Sequence, residues 1–151
     1  MYPTLNLPSY AVKLKNHSQR TQIFDRIRKK FVVLTPEEWV RQHVVNYLIE
    51  HKNYPASRLA VESSLRYNEL LRRPDIVYYD DALKPALIVE CKASDIKITQ
   101  STFDQIARYN MPLRVNYLLV TNGIQHFCCR IVYEKEEVIF LKELPDFSEL
   151  I

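Results

Sequence analysis

Glycine is nearly missing from this chain: Gly123 is the only one in 151 residues. A loop that cradles phosphate with backbone N–H groups needs several glycines close together, so these residues encode no P-loop and no motor built on one. Cysteine is sparse and poorly spaced for metal or disulfide chemistry. Cys91, Cys128 and Cys129 are odd in number, two are adjacent, and none stands at ligand spacing, so free thiols are expected. No apolar run approaches the roughly 20 residues of a membrane-spanning helix, and the first residues lack the charged-then-apolar order of a secretory leader, which makes a cytoplasmic location the expectation. Excess charge is scarce as well. A net charge of +3 does not announce nucleic-acid binding by itself, and leaves the distribution of basic residues to decide.

What is present is a globular composition in the length of one domain, expected to span 1–151 with an N-terminal arm over 1–22. Ten Tyr and six Phe exclude a disordered chain. Pro3 and Pro8 and the lack of a period mark an extended start. Ile23 to Leu34 reads as a strand or two, interrupted by Arg26-Ile27-Arg28-Lys29-Lys30. That basic run is either a solvated edge that resists strand addition or a phosphate contact. Thr35-Pro36-Glu37-Glu38 then opens a helix to about Glu50, with Thr as N-cap, Pro at the first position and Glu38 placed to close a capping box. Trp39, Val40, His43, Val44, Tyr47 and Leu48 recur at helical spacing as its buried face.

Ala60 to Tyr67 is expected to be a strand, and Glu62 within it is left outside any site. Asp75 to Tyr79 and Ala86 to Val89 read as paired strands joined by the polar loop Asp80 to Pro85. Ala86-Leu87-Ile88-Val89 is apolar on both faces, the pattern of a central strand. It then meets Glu90-Cys91-Lys92. Successive side chains alternate in a strand, so Glu90 and Lys92 share one face and Cys91 takes the other. A register starting with Tyr79 opposite Ala86 sets Val77 against Ile88 and Asp75 against Glu90. Two opposed carboxylates repel, and hard oxygen ligands of this kind suit magnesium or manganese. A helix from about Thr99 to Asn110 packs through Phe103, Ile106, Ala107 and Asn110, which aligns Gln105 and Tyr109 at i and i+4 on an adjacent face. The helical crossover makes Val115 to Thr121 parallel to Ala86–Lys92. Asn122-Gly123 turns the chain into an antiparallel strand to Val132, where Cys128 and Cys129 are buried hydrophobes and His126 is structural.

Asp75, Glu90-Cys91-Lys92, Gln105 and Tyr109 together resemble the PD-(D/E)XK nuclease superfamily. Arg73-Pro74-Asp75-Ile76-Val77, Leu87 to Lys92 and Gln105-Ile106-Ala107-Arg108-Tyr109 are similar to the N-terminal nuclease domain of type I restriction enzyme R subunits, in a stand-alone form. The resemblance implies an α/β fold with a restriction-endonuclease-like core, a central mixed β-sheet flanked by helices. It implies a magnesium- or manganese-dependent nuclease acting on nucleic acid, DNA first. Asp75, Glu90 and the Cys91 carbonyl would hold the metal, and Glu38 matches the acid that the family places on the first helix, although a cap explains it locally. Lys92 would stand beside the attacking water, and Gln105 would orient phosphate or water. Gln105 has the competing roles of a capping box with Thr102 or a solvent-facing amide. Arg72, Arg73, Arg108 and Tyr109 are candidate nucleic-acid contacts. A homodimer or a separate partner chain is left open. Two other readings stand beside this one: an ion-pair cluster in which Lys92 neutralises both acids without metal, and a catalytically silent nucleic-acid-binding or interaction module that keeps the fold.

Overall fold

The computed structural model describes residues 2–150, so Met1 of the expected arm and Ile151 lie outside it. The chain forms β1 (Leu14–His17), β2 (Arg20–Asp25), β3 (Lys30–Val33), α1 (Pro36–His51), β4 (Leu59–Val61), β5 (Leu65–Tyr67) and β6 (Leu70–Arg72). It continues with β7 (Ile76–Tyr79), β8 (Pro85–Cys91), α2 (Gln100–Asn110), β9 (Tyr117–Thr121), β10 (His126–Val132) and β11 (Glu137–Leu141). A mixed six-stranded sheet in the order β11-β10-β9-β8-β7-β4 is the centre of the molecule. Only β8 and β9 run parallel, as the α2 crossover between them requires. The α/β expectation with a central mixed sheet holds.

Alternation along the central strands divides the core into two layers. Leu87, Val89 and Cys91 of β8 pack with Ile76 and Leu119 against Val40, Val44, Val45 and Leu48 of α1. Ile88 packs with Val77, Leu118 and Val120 against Phe103 and Ala107 of α2. The expected register is met where the strands are apolar, with Val77 opposite Ile88, but a bulge between Tyr78 and Tyr79 sets Tyr79 against Pro85 rather than Ala86. All three cysteines are free and buried. His126 ties the sheet to the N-terminal segment, through Thr121 Oγ1 at 2.7 Å and the Asn6 carbonyl at 2.8 Å.

Three expectations are corrected. The arm over 1–22 is not all arm: from Leu14 the chain pairs into an antiparallel β1-β2-β3 sheet, whose polar, solvent-facing first strand has no apolar pattern to betray it. The single strand over Ala60–Tyr67 is broken at Glu62, which adopts a left-handed φ of 53°, and the chain resumes as the β5-β6 hairpin. The buried side of α1 is also wider than its apolar stripe, because Glu38, Arg41, Gln42 and Asn46 are buried too.

The lone glycine has a specific reason. Gly123 has φ +85°, and a Cβ there would stand 2.8 Å from Leu5 Cδ2, while its carbonyl accepts from the Asn6 N–H at 2.8 Å. Gly123→Ala therefore forces a left-handed alanine and displaces Leu5, with an expected loss of about 1–2 kcal/mol. A lower urea midpoint at unchanged m is the measurement.

Candidate functional site

The site forms where β7 begins and β8 ends. Extending the Val77–Ile88 register by two residues brings Asp75 opposite Glu90, and the Cys91 N–H donates to Asp75 Oδ2 at 2.7 Å. Asp75 is buried, at 7% exposure. Burial, then the charge of Asp75 and a hydrogen bond shared with it, raises the Glu90 pKa to about 8, against the opposing pull of Lys92. At neutral pH Glu90 thus keeps its proton, as one member of a crowded carboxylate pair does.

Helix α1 supplies the cation. Thr35 caps it by accepting from the Glu38 N–H, which fixes Glu37 in the first turn and Arg41 one turn later. Arg41 Nη2 reaches three acids at once: Asp75 Oδ1 at 2.5 Å, Glu62 Oε1 at 2.7 Å and Glu37 Oε1 at 2.9 Å. Its Nη1 donates to Glu38 Oε1 at 2.6 Å, while its Nε is buried without a partner. Burial works against the guanidinium charge, but Asp75, and then Glu38 and Glu62, more than offset it and raise the pKa. Oxygens of Glu37, Glu62 and Asp75 all lie within 4.8 Å of one another. Burial, then Asp75, pushes the Glu37 carboxyl up. Glu62 reaches this point through its left-handed turn, with its N–H donating to the Asp75 carbonyl at 3.0 Å.

The residues singled out from sequence fall into three groups. Asp75, Glu90, the Cys91 backbone and Lys92 meet at the sheet end. Lys92 continues the ladder through its N–H to the Thr121 carbonyl at 2.8 Å, and its charge acts on both Glu90 and Glu37. Among the described residues, every ion pair of these acids belongs to Arg28, Arg41 or Arg73, and Lys92 takes part in none. The cation that neutralises the acids is thus Arg41, not the lysine expected of an ion-pair cluster. Arg72 and Tyr109 form a second group: the guanidinium lies 4.2 Å from the ring centroid, and Arg72 Nε is buried and unpartnered. Gln105, Arg108 and Tyr109 are exposed on α2. Gln105 does not close a capping box with Thr102, because Thr99 is the N-cap. Arg73 forms the third group, its Nε held by the Glu62 carbonyl at 2.7 Å and carboxylate at 3.2 Å.

Glu38 stands apart from the three converging acids. Its oxygens accept from Arg28, Arg41 and Gln42, and the acid of the first helical turn that converges with Glu62 and Asp75 is Glu37. Glu37 and Arg41 went unseen as site residues in the sequence, and Glu62 was left outside the site. The i, i+4 spacing of Glu37 and Arg41 was a usable signal. Nothing local announced Glu62 beyond a lone charge between apolar residues.

The metal-free arrangement gives a pH dependence with a definite sign. The Glu90 pKa rises from 4.5 to about 8 on folding, so its contribution to stability is complete below the unfolded value and is lost as pH climbs through about 8. Metal-free protein is expected to melt lower at pH 8.5 than at pH 6, with Glu90→Gln flattening that slope. Thermal melts in EDTA across this range provide the measurement.

Residues 36–145 match the family model described as Type I restriction enzyme R protein N terminus (HSDR_N). The chain belongs to this family. Its fold is also that of a fragment of an HsdR subunit of a type I restriction enzyme from Vibrio vulnificus YJ016, at 19% identity and a TM-score of 0.52 over 78% of this chain. The chain spans about a quarter of that chain's length, 24%. No curated protein matches it significantly. Among the described residues no helix of this family member is long and apolar enough to cross a membrane.

Proposed function

We propose that this domain of the R-protein N-terminus family is a PD-(D/E)XK nuclease that hydrolyses phosphodiester bonds of nucleic acid, DNA first, with magnesium or manganese. The observation that carries the reading is the convergence on Asp75: a carboxylate aligned by a backbone N–H, facing Glu90, with two further acid oxygens close by and Lys92 free of ion pairs among the described residues. The donor set fits a hard divalent cation, because it is made of oxygens and carries more negative charge than Arg41 balances. Asp75, Glu90 and the Cys91 carbonyl would hold the cation, with Glu37 and Glu62 in reach. When bound, such a cation neutralises phosphate charge and acidifies a water.

The chain's own residues supply the remainder. The Cys91 N–H holds Asp75 in one orientation, and Glu90 would release its proton to solvent in order to hold a cation. The Lys92 ammonium, on the same strand face as Glu90, stabilises hydroxide and the attacked phosphate. Arg72 and Tyr109, already in contact, bear on the nucleic-acid backbone, with Gln105 and Arg108 on the same helix. These contacts are assigned to the backbone, and no sequence specificity is predicted from them. A homodimer or a separate partner chain would bring a second site to the opposite strand of a duplex, and a cytoplasmic location belongs to this reading.

A second reading is favoured by Arg41, whose Nη2 already occupies the oxygens a cation would use: a silent nucleic-acid-binding module. Plasmid nicking with magnesium and with manganese separates the two. Metal-dependent nicking is the expected result, whereas salt-sensitive DNA binding without any cutting establishes the silent module.

A further inference from the structure

The family match begins at residue 36, and the β1-β2-β3 sheet lies before it. Residues 1–35 carry seven Lys or Arg against one acid, Asp25, while from residue 36 onward acids outnumber bases. The positive charge of the chain is therefore concentrated in this addition. Pairing divides the small sheet into two faces. Ile23 and Asp25 are fully buried on the inner one. On the outer one Phe24 stands opposite Phe31, and Lys13 is brought beside Phe24 by the hydrogen bond from the Phe24 N–H to the Lys13 carbonyl. Alternation adds Lys15, His17 and Arg20 to that face.

The cations on this face are held in place and remain unneutralised. Lys13 Nζ lies 5.4 Å from the Phe24 ring centroid and Lys15 Nζ 4.3 Å from that of Phe31, with the two rings edge to face at 5.2 Å. Cation–π contacts of this kind hold an ammonium without cancelling its charge. Among the described residues neither lysine nor Arg20 has an ion-pair partner. A cavity of about 210 Å³ adjoins the same face, lined by Tyr10, Lys13, Phe24 and Arg26.

A continuous chain of hydrogen bonds braces this sheet to the acid cluster. Asp25 accepts from Arg28 at 2.6 Å and from Gln42 at 2.9 Å, Arg28 donates to Glu38 at 3.1 Å, and Glu38 accepts from Arg41, which holds Asp75. An acid-rich site repels a polyanion, so a substrate strand needs cations outside it.

We propose that the outer face of the β1-β2-β3 sheet binds the phosphate backbone of a nucleic-acid strand, independently of sequence, and carries it beside the acid cluster. Charge complementarity selects a polyphosphate, and the unneutralised lysines make the contact chiefly electrostatic. The proposal rests on the nuclease reading for the kind of polyanion, but its test needs no cutting.

The test is fluorescence anisotropy of a labelled DNA duplex with the full chain in EDTA, over a salt series. Lys13→Glu/Lys15→Glu is expected to weaken binding about tenfold or more and to reduce the log–log salt slope by about two. Lys13→Arg/Lys15→Arg should bind like wild type, and Arg20→Glu should weaken binding in the same direction. Thermal melts confirm that each variant is folded. With magnesium and saturating DNA, the Glu pair should keep the wild-type cutting rate while needing more DNA to reach half of it. Unchanged affinity and slope in the folded Glu pair would overturn the proposal, as would lysine-dependent binding to phosphatidylserine vesicles by a protein that binds no DNA. DNA binding lost with the lysines, by a protein that never cuts, would sustain this proposal and defeat the nuclease reading. Cutting with unchanged affinity in the Glu pair would do the reverse.

Discussion

Arg41→Met in EDTA is expected to cost about 3–5 kcal/mol of stability, because a buried charge network loses its central cation. Arg41 contacts Asp75, Glu38, Glu62 and Glu37, and the first two are nearly inaccessible to water, at 7% and 5% exposure. Methionine fills similar volume but leaves these carboxylates to repel one another. A divalent cation then becomes the natural replacement. Saturating manganese at about 100 times its Kd should restore about 2.7 kcal/mol to the variant. The wild type gains less, since Arg41 Nη2 must first leave the three oxygens a cation would use. Thermal melts with and without manganese measure both effects. An Arg41→Met protein that melts like wild type and gains no more from metal would show that the acids are not a cation seat.

Lys92→Ala should behave in the opposite way, losing chemistry and sparing the fold. Its ammonium takes part in none of the ion pairs among the described residues, yet its charge acts on Glu90 and Glu37, and in the proposed nuclease reading it serves a charge that arrives only with substrate. Loss of one preorganised stabilising group typically costs about 10²–10³-fold in rate. Nicking should fall by that factor, with the melting temperature and DNA affinity near wild type. A Lys92→Ala protein that cuts normally would remove the lysine from the mechanism, whereas one that melts far lower would make it structural.

The central strands were legible because burial on both faces leaves an apolar signature that charge interrupts sharply at Glu90. The same pattern gave the register at Val77 and Ile88, though not the bulge at Tyr78 and Tyr79, which depends on how the loop from Asp80 to Pro85 closes. The helix start at Thr35-Pro36 was legible from local hydrogen-bonding rules. Arg41 was not, since its partners Glu62 and Asp75 are 21 and 34 residues away and no period links them. Glu62 was hidden by its left-handed backbone, which breaks the strand that residues 60–67 otherwise suggest. Strand β1 was hidden because both of its faces are exposed, so it shows none of the alternation that marks a half-buried strand.

The measurement that bears most directly on the account is a calorimetric titration of manganese into wild-type and Asp75→Asn protein at pH 7, run in two buffers of different ionisation enthalpy. Saturable binding by the wild type with proton release, as Glu90 ionises to join the ligands, and loss of that binding in Asp75→Asn are expected. Equal binding by both proteins, or none by the wild type at millimolar manganese, would contradict a metal centre built on Asp75.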